Sequence, residues 1–491
     1  MLPRWVSARQ HPLRVYAFLE LGTAAFGIIA LFGVPLIGHL YVAGASSGLS
    51  GLVLRGTVAA ICLLPPTMLM GGSLPAITRW VETSPKGIAS MGLLYSANVA
   101  GAVFGCLLAG FYLLRVYDMA VATYAAALVN VVVALLGLTL AKRLRHGSAG
   151  EVSVDAPRAE GAAFIYTAIG LSGLSALGAE VVWTRLLSLL FGATVYTFSI
   201  ILAVFLIGLW AGSWAGSRIA GRVVNARLAL AACQVLLAVA IAWTAFTLAY
   251  SLPYWPVDPA LSVNPLFNFD LDMTRCLRTI LPATLLWGAS FPLALAGAAR
   301  RGEDPGLLTG EVYAANTAGS IVGALVFSLF LIPTIGTRAS QQWLIWLAVA
   351  AAGAAITPVI LELRATLPRA ALRYAGMLAG AVVLAAVLAW TVGDVPWQAI
   401  AYGRRITPIL RGLNLLAEAK PLFVGEGISA SVVITGRGDQ RFFYVSGKSE
   451  ASTTILDMRL QRMMGNLPAL VHPGPHSVLV VGFGAGVTAG S

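Results

Sequence analysis

Six hydrogen-bonding or ionisable side chains interrupt otherwise apolar runs: Glu20, Asn98, Glu180, Arg185, Glu311 and Asn316. Such groups are costly in hydrocarbon, so they mark either a ligand, ion or proton path or a polar contact between helices. Glu180 and Arg185 stand five residues apart, ~140° around a helix, so their spacing alone does not pair them. Asn98 and Asn316 each have small neighbours, Ala97, Gly101 and Gly105 in one case and Ala315, Gly319 and Gly323 in the other. That pattern favours close helix packing with an interhelical amide bond over a transport path. The segments Gly71–Pro75 and Gly288–Pro292 could be broken helices lining a cavity, or simple bends.

A second constellation lies near the C-terminus. Ser477-Val478-Leu479-Val480-Val481 is followed by Gly482-Phe483-Gly484-Ala485-Gly486. A short β-branched run entering a Gly-x-Gly-x-Gly turn is how a nucleotide-type α/β fold begins. The glycines let the backbone approach the ligand, and a following helix N-terminus favours polar or anionic groups. The acidic residue expected ~20 residues further on lies beyond Ser491, so the domain is expected to be incomplete. The four cysteines, Cys62, Cys106, Cys233 and Cys276, form no CxxC pair and lie in or beside apolar runs. They read as small hydrophobes, and no metal site is expected.

These residues need elements to hold them, and composition says what solvent those elements meet. The 491 residues are 58% hydrophobic and 11% charged, with a mean hydropathy of +0.84. Soluble domains carry about 25% charged residues. The composition therefore excludes an ordinary soluble enzyme, a disordered regulator and a nucleic-acid-binding module, and makes the lipid bilayer the partner. The net charge of +12 divides into +9 over residues 1–393 (23 Lys and Arg, 14 Asp and Glu) and +3 over 394–491 (9 and 6). Eleven runs are long enough to cross: about 15–42, 52–78, 88–114, 119–141, 162–187, 193–216, 227–251, 277–298, 311–333, 341–361 and 371–392. With a cytoplasmic N-terminus, 17 Lys and Arg up to residue 373 fall on the inner side. Six fall in spans or outside: Arg55, Arg115, Arg185, Arg275, Arg278 and Arg338.

The spans repeat. Pro65–Pro75 aligns with Pro282–Pro292 at an offset of 217, Tyr95–Gly101 with Tyr313–Gly319 at 218, and Leu13–Gly22 more weakly with Leu228–Leu236 at about 214. An even number of spans per repeat implies parallel repeats. Six spans match the second repeat and four the first, so the chain reads as starting two helices late. The expected organisation is a partial first repeat at 1–160, the second repeat plus one span at 161–393, and a soluble segment at 394–491. In that segment, Ser429–Thr435 and Arg441–Val445 read as a hairpin about a Gly436–Asp439 turn, and Thr454–Leu470 as a helix. The fold class is mainly α: a polytopic, internally duplicated helical membrane bundle, then the start of a β-hairpin plus Rossmann-like α/β domain.

The run Tyr444–Thr453 (YVSGKSEAST), the run Leu467–Gly486 and the EVVWTR and YAANTAG membrane segments resemble the bacterial membrane-fused spermidine synthase-like proteins. These join a major-facilitator-like bundle to a spermidine synthase-like domain. The resemblance implies aminopropyl transfer from decarboxylated S-adenosylmethionine to a polyamine, or binding of S-adenosylmethionine itself. It also implies a multi-pass protein of the bacterial cytoplasmic membrane. Gly482, Gly484 and Gly486 match the nucleoside-binding glycines, and Glu450 stands where a substrate-contacting Gln is usual. Ala485 replaces the Asp of the glycine loop, and Leu460-Gln461-Arg462 replaces a Tyr-His-Glu run. The catalytic Asp of that family would lie beyond Ser491, so this chain is expected to be inactive. The alternative is a major-facilitator-like transporter or a scaffold. Eleven crossings from a cytoplasmic N-terminus put the soluble segment outside. An adenosyl cofactor requires it inside, which is the reading preferred here, with 371–392 as the run that does not cross.

Overall fold

The computed structural model describes residues 10–43, 49–80, 85–144, 159–255, 257–258, 260–300, 303–406 and 419–491. Of the inner-side charges, Arg4, Arg9, Arg145, Arg158 and Arg301, and the side chain of Lys86, lie outside the described residues.

Helices dominate, as the apolar runs require. They are α1 (Pro12–Ala43), α2 (Leu49–Thr78), α3 (Pro85–Leu107), α4 (Met119–Arg143), α5 (Ala162–Phe191), α6 (Val195–Ala220), α7 (Ala226–Phe246), α8 (Pro265–Ala298), α9 (Pro305–Val326), α10 (Ile332–Thr366) and α11 (Pro368–Thr391). Their starts are fixed locally. Asp118, Thr194, Asn225, Asn264 and Asp304 each accept a backbone N–H of the first turn of α4, α6, α7, α8 and α9. Proline follows directly at Pro265 and Pro305, where its missing N–H costs nothing. Short π-helical turns extend α3, α7 and α9.

Among the described residues, ten stretches are long and apolar enough to cross a membrane. One of them, Pro305–Thr366, spans 62 residues, ~93 Å of helix, three times a bilayer core. It breaks at Gly336, whose φ of 78° and ψ of 172° are not helical, and so supplies two crossings, α9 and α10. The last expected crossing, α11, is a full 24-residue apolar helix lying along α10 and α7.

The proline-containing segments do not open the bundle. α2 and α8 run continuously through Pro75 and Pro292. On α6, Gly208, Gly212 and Gly216 are pressed against Thr284, Leu285 and Ala289 of α8, so a methyl group at any of them would overlap its neighbour. This small-residue spacing gives the close backbone approach that dispersion-driven packing in lipid needs.

Helices at equivalent repeat positions choose equivalent partners. α1 packs on α2 and α4, and α7 packs on α8 and α10; α2 touches α9, and α3 touches α8. α5 and α6 have no counterparts among the described residues. The centre of the molecule is α5–α10, and α1–α4 keep large apolar side chains such as Phe32, Leu36 and Phe104 exposed.

A short helix, α12 (Trp397–Tyr402), leads to an antiparallel sheet ordered β1 (Lys420–Glu426), β2 (Ser431–Arg437), β3 (Gln440–Val445) and β4 (Lys448–Ser452). The expected hairpin is its centre. Gly436 and Arg437 still pair with Arg441 and Gln440, so the turn is only Gly438-Asp439. The outer strands escaped the sequence reading because Lys420–Glu426 contains a proline and Lys448–Ser452 is polar. β2 turns Ser431, Val433 and Thr435 inward, towards α12.

Helix α13 (Ile455–Val471) follows. Beyond it the expectation of a Rossmann-like strand is not met. Residues 477–481 pair with nothing, and Leu479 and Val481 are nearly fully exposed. A parallel strand needs a neighbour for its N–H and C=O groups, and none of the described residues offers one.

Candidate functional site

The sheet seats on one end of the bundle, and cavities form at the joint; the one against α5 holds two of the sequence-derived residues. It is about 490 Å³ and is lined by Leu177, Glu180, Val181, Thr184, Arg185, Ser188 and Leu189 of α5. Ala193 and Phe198, then Ser328 and Ile332 from the α9–α10 junction, complete the bundle side. Ile428, Ser429 and Ala430 of the β1–β2 loop and Ser446 of the β3–β4 turn close it. Leu177 lies fourteen residues before the end of α5, so the cavity reaches ~21 Å down that helix.

Glu180 and Arg185, which spacing alone did not pair, therefore face one cavity. They do not bond to each other. Arg185 donates through Nη1 to the Ile428 carbonyl and through Nη2 to Ser431 Oγ, 3.2 Å each. Its Nε is buried without an acceptor. Glu180 has no hydrogen-bond or ion-pair partner among the described residues.

Three further contacts fix the roof of this site, and sequence reasoning missed all of them. Glu426 at the end of β1 accepts from the Thr337 amide at 2.5 Å and from Thr337 Oγ1 at 2.8 Å. It caps α10 where the chain resumes helical geometry after Gly336, and a carboxylate there meets the positive end of the helix dipole. Arg404, after α12, bonds to Asp272 near the start of α8 and to the Phe191 carbonyl at the end of α5. Asp272 is also 3.7 Å from Arg275. Gly403 and Gly447 meet backbone to backbone, and the Gly447 amide donates to the Ile400 carbonyl at 2.7 Å. The Ser446-Gly447 turn has φ of 46° and 89°, the left-handed pair that a two-residue hairpin turn requires. Burial pushes the Tyr402 phenol above its ordinary pKa, and contact with Tyr444 adds to the shift.

The other sequence-derived residues lie elsewhere. Glu20 on α1 accepts from Ser73 of α2 at 3.2 Å. The same pair recurs one repeat later, where Gln234 donates to Ser290 at 2.8 Å and to Ser172 at 3.1 Å. The offset that relates Glu20 to Gln234 was the signal that could have found it. Glu311 accepts from Tyr166 at 2.7 Å. Asn316 donates to the Ile169 carbonyl of α5 at 3.3 Å, whereas Asn98 is exposed on α3. All but Asn98, whose expected interhelical amide bond is absent among the described residues, join helices rather than line the cavity.

Glu450 is exposed on β4. It is the extra residue where Phe443 pairs with Ala451 and Tyr444 with Ser449. Gly482, Gly484 and Gly486 have φ of 89°, 55° and 79°, conformations that side chains resist. No hydrogen bond among the described residues joins Glu450 to this loop. Groups of three or more His, Cys, Asp or Glu that could hold a metal are absent among the described residues.

No model of a known protein family matches the chain, and no curated protein matches it.

Proposed function

We propose that this chain is a multi-pass membrane protein whose duplicated bundle binds a small polar solute in the cavity at the bundle–sheet joint, in the manner of a transporter or solute sensor. The observation that carries this reading is Glu180, a carboxylate without a partner among the described residues, on the wall of a cavity that a bonded roof partly covers. An intramembrane charge facing a cavity is a functional group by default. The sheet acts as a fixed cover, tied down by Arg185, Glu426 and Arg404.

The test is access. A Thr184→Cys variant in a cysteine-free background should react with a membrane-impermeant maleimide applied to the sheet side of sealed vesicles. Failure to react from that side would leave the cavity without water and sink the reading.

The resemblance to membrane-fused spermidine synthase-like proteins supports a second reading, binding of an adenosyl compound. The observation in its favour is the three consecutive left-handed glycines at 482, 484 and 486. They leave room for a ligand backbone contact that any Cβ would strain. Ala485 and Glu450, in place of the expected Asp and Gln, argue against aminopropyl transfer to a polyamine. Saturable binding of S-adenosylmethionine to the purified chain would support this reading, and its absence would remove it.

A further inference from the structure

The two charged residues of the cavity differ in sign and in what they lack. Glu180 lacks any donor among the described residues. Arg185 uses two of its five N–H donors on the sheet, at Ile428 and Ser431, and its buried Nε has no acceptor among the described residues. A bare cation would satisfy Glu180 and leave the remaining Arg185 N–H donors stranded. A bare anion would do the reverse and add repulsion from Glu180. Each stranded group costs free energy in an apolar enclosure.

We infer that the cavity is a binding site for a small zwitterion, its ammonium on Glu180 and its carboxylate on the uncommitted N–H donors of the Arg185 guanidinium. The inference rests on the solute-binding reading above and names its substrate class. The spacing of the two residues sets the ligand's length. Five residues rise ~7.5 Å along α5 and turn ~140°, so the charged ends must stand several bonds apart. An ω-amino acid fits this better than glycine. Leu177, Val181, Leu189 and Ile332 line the wall and would cover the methylenes. The Ser188 hydroxyl on the wall and the Ser446 hydroxyl in the roof can supply further hydrogen bonds to the charged ends.

The experiment is calorimetric titration of the full chain in lipid nanodiscs with four probes: 4-aminobutyrate, 6-aminohexanoate, butyrate and putrescine. At least one of the two zwitterions should bind, about tenfold or more tighter than butyrate or putrescine, as expected when one charge-assisted bond is lost. Glu180→Gln should weaken that binding by about tenfold or more. Ala430→Trp, which fills the cavity from its loop, should abolish binding without lowering the melting temperature. Tighter binding of putrescine or butyrate, equal binding by Glu180→Gln, or no binding of either zwitterion would overturn the inference. If Thr184→Cys is still labelled in those cases, the cavity stands and only the substrate class falls.

Discussion

Charged residues at the joint differ in value according to burial. Asp272 is almost fully buried between Arg404 and Arg275, and its Oδ1 has no hydrogen-bond partner. Removing its charge would leave two guanidinium groups facing each other in a partly dry site. Breaking such a pair from one side costs about 3–5 kcal/mol. Arg404 is one-third exposed, so water screens part of this and about 2–3 kcal/mol is expected for Asp272→Asn. The Arg338–Asp394 pair at 2.9 Å is exposed on both partners, and Arg338→Gln should cost under about 1 kcal/mol. Melting temperatures of the two variants in the same detergent check the contrast, and equal losses would refute it. Neither pair was visible in the sequence. Asp272 reads as one acid of an outer loop, and its partner Arg404 lies 132 residues away. Glu180 and Arg185 were visible because an apolar run exposes any charge within it. Their shared cavity was not, because its roof comes from residues 428–446.

The helices were the most legible elements, because a crossing segment must be apolar along its whole length. The glycine stripes on them were legible as motifs but not as contacts. Gly319 and Gly323 on α9 press on the carbonyls of Gly170 and Leu174 of α5, whereas their repeat equivalents Gly101 and Gly105 on α3 meet nothing within 4 Å. Sequence alignment makes these glycines equal, and only the position of α5 separates them. Gly319→Ala forces two backbones apart and should cost about 2 kcal/mol. Gly101→Ala should change stability by less than about 0.5 kcal/mol. Thermal unfolding of the two variants measures this directly, and a Gly101→Ala loss as large as that of Gly319→Ala would show that the α3 face is also filled in the folded protein. The short strands were the least legible elements, since β1 and β4 gain their place by pairing with a hairpin rather than from their own patterns.

At the scale of the whole molecule, the two ends of the bundle carry different charge. The end away from the sheet holds Arg14, Arg79, Lys142, Arg143, Arg218, Arg222, Arg227, Arg300, Arg364, Arg369 and Arg373. There Arg79 bonds to Asp304 at 3.0 Å, and Arg227 bonds to Glu362 at 2.8 Å. Of the Lys and Arg up to residue 373, the sheet end holds the six others, and Arg185, Arg275 and Arg338 among them are tied to sheet, helix or loop; Arg404 and the basic residues of the sheet add to that end. Basic residues gather on the cytoplasmic side of a membrane bundle. The expectation that 371–392 does not cross placed the soluble segment in the cytoplasm. With α11 crossing, as its length and apolar character allow, charge and connectivity predict the opposite placement, in which the sheet and the mouth of the cavity would face away from the cytoplasm. An adenosyl cofactor would then be out of reach, and a solute arriving from outside would meet the cavity first. In a background lacking the four native cysteines, Asp439→Cys in the β2–β3 turn should react with an impermeant maleimide on intact cells. Arg222→Cys, at the opposite end after α6, should react only once the cells are permeabilised. The reverse pattern would place the sheet in the cytoplasm and restore the adenosyl-binding reading over the solute-binding one.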